Sequence, residues 1–209
     1  MLSRFLHVDD TRTWDAFRTG NQAAFEYIYQ THFQALYRYG RKFSKDTALI
    51  GDTLQQLFTD LWQKRKKLGP TDHIKNYLYV AFRRSLLRNQ KKRAEPALQP
   101  DTALFGISLS HEAQIIEQQH NQEQRETIQR ALDQLTEKQR EAIYLKFYDE
   151  LSYAEISEIM GVSAAQVYDF VYKALRSLRR HLKKSGTQDI LTSSTITFFI
   201  ICYYIFPFL

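Results

Sequence analysis

Apolar residues recur at three- and four-residue intervals through most of this chain, the period of an amphipathic helix. Trp14 to Thr19 fit a short helix closed by Gly20-Asn21. From Ala23 to Phe43 the set Phe25, Ile28, Tyr29, Phe33, Leu36, Tyr39 and Phe43 keeps the spacing, and Ser44-Lys45-Asp46 breaks it. Thr47 to Lys66 places Ile50, Leu54, Leu57, Phe58, Leu61 and Trp62 on one stripe and leaves Asp52, Gln55, Gln56, Thr59 and Asp60 outside. A Gly69-Pro70 loop follows. The third long helix, His73 to Arg93, is predicted to bury Ile74, Tyr77, Leu78, Ala81, Phe82, Ser85 and Leu86 and to expose Lys75, Tyr79, Arg83, Arg84, Arg88 and Lys91. Three antiparallel helices of this length predict a first domain over residues 1–93.

Residues 94–110 hold Pro96, Pro100 and Gly106 with no period of either kind, and read as a flexible, extended linker. A helix resumes near His111, polar from Glu117 to Glu126, with Ile128, Leu132 and Leu135 placed to pack on the C-terminal helices. Three further helices open with Thr136, Ser152 and Ser163, each with Glu or Gln three residues on: Gln139, Glu155 and Gln166. That is capping-box spacing, in which the hydroxyl and the longer side chain each satisfy a backbone amide of the first turn. Met160-Gly161-Val162-Ser163 predicts a left-handed stop and an immediate restart, hence a helix-turn-helix within a second, four-helix domain over residues 111–184. The fold class is all-α: two small helical domains, a linker and a hydrophobic C-terminal tail over residues 185–209.

The last helix turns Val167, Phe170, Val171, Ala174, Leu175, Leu178 and Leu182 inward. Outward it presents Gln166, Tyr168, Asp169, Tyr172, Lys173, Arg176, Arg179, Arg180 and Lys183, with Ser163 and Ala165 at its start. Such a helix, entered through a tight turn and basic toward its end, suits a DNA major groove, although a solvated basic face on an ordinary bundle has the same periodicity. Gln166 is a candidate for bidentate reading of adenine, and Arg176 for a phosphate contact.

The 209 residues carry a net charge of +6, which favours a polyanionic partner, nucleic acid or an anionic membrane surface. One cysteine, Cys202, excludes a disulfide framework, and the six histidines are scattered without metal-ligand spacing. With no phosphate loop and no nucleophile motif, no enzyme, cofactor or metal is expected. The opening residues are too short an apolar run for a secretory signal, so a cytoplasmic protein is expected. Ile190 to Leu209 contains no charge. It approaches the length of a membrane span, with Arg179, Arg180, Lys183 and Lys184 before it, and predicts either an inner-membrane tether or a peptide packed on protein.

Together these pieces resemble the extracytoplasmic-function group of bacterial sigma factors over about Gly20 to Leu182. Gly20-Asn21-Gln22-Ala23-Ala24-Phe25 with Tyr29, Asp52 to Phe58 with Leu61-Trp62, and Tyr77-Leu78-Tyr79 through Arg83 carry the likeness in the first domain; the helix-turn-helix carries it in the second. The resemblance implies that Asp52, Gln55, Gln56 and Asp60 contact core RNA polymerase, with Phe58 and Trp62 in the core. It also implies that the His73 helix, with Arg83, binds the −10 promoter element, and that the preceding loop, from Arg65 to Asp72, captures a flipped base; Arg84 and Arg88, candidate DNA contacts on the same helix, stand where the family commonly has Asn and Asp. The second domain would read the −35 element. Lys64, Arg65, Lys66 and Lys67 would add phosphate contacts, and Tyr79 is a candidate to stack on an unpaired base. Tyr168, Asp169 and Phe170 stand where the family often has Lys or Arg, so no base preference carries over. The implied partners are core polymerase, promoter DNA and an anti-sigma factor. The competing expectations are a helix-turn-helix regulator acting without polymerase and a membrane-associated interaction protein.

Overall fold

The computed structural model describes residues 9–94, 105, 126 and 128–184, and every secondary-structure element among them is helical. The expected tail, the helix expected over residues 111–125 and the linker apart from Ala94 and Phe105 lie outside the described residues. The chain divides between Leu104 and Phe105 into two units.

In the first unit, α1 spans Asp10–Arg18 and starts earlier than the periodicity suggests, because Asp9 caps it by accepting from the Thr11 N–H at 3.2 Å. Trp14 and Phe17 are buried, and the Trp14 indole donates to the Gly69 carbonyl at 2.8 Å. α2, Gln22–Gly40, is capped by Asn21 and turns Ala24, Ile28, Leu36 and Tyr39 into the core. It stops at Gly40 rather than Phe43. A Cβ at Gly40 would lie 2.9 Å from both Ile50 Cγ2 and Phe82 Cζ, so the helices that carry Ile50 and Phe82 pack here against bare backbone.

α3, Thr47–Lys64, is capped by Asp46 and passes into a 3₁₀ turn, Arg65–Lys67, where a continued α-helix was expected. α4 spans Ile74–Ala94. Its first amide, on Ile74, donates to the Asp10 carboxylate at 2.9 Å, a cap supplied from 64 residues away. α3 and α4 pack on each other and both on α2.

The second unit holds Phe105, a helical stretch at residues 128–133 (α5), α6 (Glu137–Ile143), a π-turn (Tyr144–Tyr148), α7 (Tyr153–Met160) and α8 (Ala164–Lys184). Phe105 corrects the reading of residues 94–110 as linker throughout. It is 1% exposed, its ring meets Tyr144 edge-on at 5.9 Å, and its carbonyl accepts from Arg140 Nε at 2.7 Å. Arg140 also donates to the Leu135 carbonyl at 2.7 Å, so one guanidinium ties Phe105 to the end of α5. α6 and α7 pack against α8 through Ala142, Ile156, Ile159, Val167, Val171, Ala174 and Leu178.

Candidate nucleic-acid interface

All three expected capping boxes are formed. Thr136 pairs with Gln139 and Ser152 with Glu155; at Ser163 the backbone N–H donates to Gln166 Oε1 at 2.9 Å while the Gln166 N–H donates to Ser163 Oγ at 3.2 Å. Gly161 adopts φ +67°, the left-handed conformation that glycine takes without a Cβ penalty, and the Gly161 and Val162 N–H groups both close on the Ser157 carbonyl. The turn therefore ends α7 and restarts the chain as α8 within three residues, which leaves the first turn of α8 facing outward.

On α8, Val167, Val171, Ala174 and Leu178 are buried, while Phe170 and Leu175 are half-buried. Ser163, Ala165, Gln166, Tyr168, Tyr172, Lys173, Arg176, Arg179 and Arg180 are exposed, and Asp169 is half-buried. Gln166, the candidate for bidentate adenine reading, is engaged in the cap. Its Oε1 already accepts from the Ser163 N–H and from Ser163 Oγ, so presenting both oxygen and amide to a base would open the cap. Asp169 and Lys173, one turn apart, form an ion pair at 2.7 Å. Tyr168 and Tyr172 stand 61% and 59% exposed.

Tyr168 is held from behind. Its ring lies 5.1 Å from that of Tyr153 at the start of α7, and Lys146 Nζ sits 4.8 Å over the Tyr153 ring. Lys146 belongs to the π-turn and also donates to the Leu151 carbonyl at 3.0 Å. Burial, helped by the neighbouring Tyr168, raises the Tyr153 phenol above its ordinary value and keeps it neutral.

In the first unit, Lys64, Lys66, Lys67, Arg84 and Arg88 are exposed. Lys64 pairs with Asp60 at 3.2 Å, one helical turn back. Arg65 is half-buried and folds onto its own helix end: Nη1 donates to the Trp62 carbonyl at 2.6 Å and the guanidinium lies 4.2 Å over the Trp62 ring. Arg83 is half-buried, its guanidinium 6.0 Å over Phe43. Tyr79 is a correction. It is fully buried, packed 5.1 Å from the Tyr39 ring, and does not offer a face to an unpaired base. The apolar side of α4 is wider than the stripe read from spacing because α2 and α3 cover it together.

Asp52, Gln55 and Gln56 are exposed on α3, and Asp60 is half-buried and accepts from Gln56 Nε2 at 3.0 Å. Asp52 shares Arg93 with Asp46, the two contacts being 3.2 and 2.6 Å. The structure adds what spacing alone missed: beside Asp52 and Gln55 a groove of ≈ 780 Å³ opens between α2 and α3, walled by Phe25, Tyr29, Phe33, Phe58 and Trp62. The signal was in the sequence. Phe25, Tyr29 and Phe33 recur at i, i+4 and i+8, a second row beside the buried Ala24, Ile28 and Leu36.

Residues 125–178 match the family model described as sigma-70, region 4, which includes the helix-turn-helix. Over 164 residues the chain is 27% identical to the ECF RNA polymerase sigma factor SigM of Bacillus subtilis strain 168, covering 78% of this chain and 96% of that protein. It is 23% identical over 168 residues to the ECF RNA polymerase sigma factor SigK of Mycobacterium ulcerans strain Agy99, covering 79% of this chain and 89% of that one. Two solved structures share the fold, each with a TM-score of 0.56. One is the sigma factor RpoE of Bartonella quintana in complex with the anti-sigma factor NepR, 23% identical over 76% of this chain and 96% of that one. The other is CnrH in complex with the cytosolic domain of CnrY, 18% identical over 85% and 99%.

Proposed function

The chain belongs to the extracytoplasmic-function subfamily of the sigma-70 factors, and from that premise we propose that it binds core RNA polymerase and directs it to promoters for transcription initiation. The observation that carries the reading is the co-occurrence, in one chain, of the region 4 helix-turn-helix and a first unit whose α3 presents Asp52, Gln55, Gln56 and Asp60 beside an aromatic groove. Those four residues, with the groove wall, are the proposed polymerase surface. Exposed Arg84 and Arg88 with Lys64, Lys66 and Lys67 are the proposed −10 contacts; α8 is the proposed −35 reader, with Arg176, Arg179 and Arg180 on phosphates.

The test is reconstitution of the full chain with core polymerase on a genomic promoter library, with Asp52→Arg and Gln55→Ala beside the wild type. Specific initiation that both variants weaken is the expected result. Specific duplex binding with no initiation from any promoter, and no effect of either variant, would mean a regulator that acts without polymerase.

By the same reading an anti-sigma factor is a partner, as it is for the RpoE protein whose complex shares this fold. Among the described residues no helix is long and apolar enough to cross a membrane. The uncharged segment 190–209 lies beyond them, and its composition supports a proposed inner-membrane tether. Cell fractionation of the full chain beside a version ending at Ser185 tests it: equal partition into the soluble fraction removes the tether.

A further inference from the structure

Several polar groups on the first turns of α8 contact one another. Gln166 Oε1 is held in the cap and Asp169 is paired with Lys173. What remains outward there is Ala164 and Ala165, then the rings of Tyr168 and Tyr172, each more than half exposed and one helical turn apart on the same face. Exposed aromatic rings cost hydration unless something apolar meets them.

In the major groove the base pairs offer one apolar group larger than a hydrogen atom, the 5-methyl group of thymine; the other recognition groups there are donors, acceptors and the small C5–H of cytosine. We propose that Tyr168 and Tyr172 read thymine methyl groups in the −35 element, so that this factor selects that half of its promoter by apolar contact rather than by arginine-to-guanine pairing. The proposal rests on α8 being the −35 reader. Tyr168 is suited to the role because its ring is braced by Tyr153, which is itself covered by Lys146, and so loses little freedom on contact.

The test uses holoenzyme on a promoter recovered from the library, with each −35 thymine replaced in turn by uracil, which pairs identically and lacks only the methyl. At subsaturating holoenzyme, open-complex formation is expected to fall about fourfold for each contacted methyl, the ratio equivalent to ~0.8 kcal/mol for a buried CH₂. Tyr168→Ala and Tyr172→Ala are expected to abolish the thymine-to-uracil difference at one position each, and Tyr168→Phe to keep it. Arg179→Ala is expected to weaken thymine and uracil duplexes alike. Both tyrosines are exposed, so far-UV circular dichroism of the variants should match the wild type. Indifference of the wild type to uracil at every position, or a difference that survives in both alanine variants, would overturn the proposal while leaving the sigma-factor reading standing. Absence of initiation from any promoter would remove that reading and this one with it.

Discussion

Replacing Phe105 by alanine should destabilise the second unit strongly and spare the first. The side chain is 1% exposed and meets Tyr144 edge-on at 5.9 Å. Truncating a core phenylalanine costs about 3–5 kcal/mol, the cavity left behind included. At ~0.05–0.15 kcal/mol per residue, the unit Phe105–Leu209 holds at most about 5–16 kcal/mol, so the loss is a substantial part of the whole. The assay can separate the units because both tryptophans, Trp14 and Trp62, lie in the first. In urea, tryptophan emission should report an unchanged transition while far-UV circular dichroism gains an earlier one. Phe105→Leu, which keeps most of the volume, should cost under about 1.5 kcal/mol. Arg140→Gln should also destabilise the second unit, because it removes the donor to the Phe105 and Leu135 carbonyls, at about 1–3 kcal/mol for each group left unsatisfied. A dichroism transition that stays in place in Phe105→Ala would refute the reasoning and return Phe105 to the linker. A shift in the tryptophan transition would refute it differently, by making the side chain a support of the first unit.

Three other outcomes depend on single residues. Burial lowers His32 from 6.5 to about 4, with Asp10 opposing the shift and Lys75 adding to it. The folded state therefore binds fewer protons than the unfolded one, so this stabilisation is complete above pH 6.5 and lost as pH falls toward 4. Allowing for partial exposure, the wild type should lose about 2 kcal/mol more than His32→Gln across that window in tryptophan-monitored urea titrations. Gly40→Ala should lower the first unit's stability by about 1–3 kcal/mol, since overpacking against Ile50 and Phe82 exceeds the helix-propensity gain; a raised melting temperature would contradict the packing argument. If Arg179 and Arg180 meet phosphates, each alanine substitution should reduce the slope of log affinity against log salt by about 0.9, without changing sequence preference.

The helical architecture was legible because the signals that specify it are local. A capping box acts over three residues and a left-handed glycine over two, so the boundaries at Thr136, Ser152, Gly161 and Ser163 could be read directly. Boundaries set by distant groups could not. The start of α4 depends on Asp10, and the bare backbone at the end of α2 on the room Ile50 and Phe82 leave at Gly40, and these partners lie elsewhere in the sequence. The π-turn was equally hidden. Its registering bonds, Asp149 N–H to the Tyr144 carbonyl and Leu151 N–H to the Leu145 carbonyl, close around a loop in which Glu150 takes φ 57° without being glycine.

For the candidate site, periodicity separates inside from outside but does not say how wide the inside is. Tyr79 passed as exposed on spacing, yet α4 is covered by two helices and its buried sector widens to include it. The reverse happened on α2, where Phe25, Tyr29 and Phe33 read as core and instead wall an open groove, meeting Phe58 and Trp62 of α3 while remaining half-buried or exposed. On α8 the residue types were legible and their engagements were not: an outward glutamine, aspartate and lysine look like three readers of bases until the cap and the ion pair are seen to occupy them. The polar side chains at the start of the recognition helix thus serve the helix itself. On the proposed reading of α8, discrimination falls to the rings of Tyr168 and Tyr172, and electrostatic attachment to the arginines from Arg176 onward.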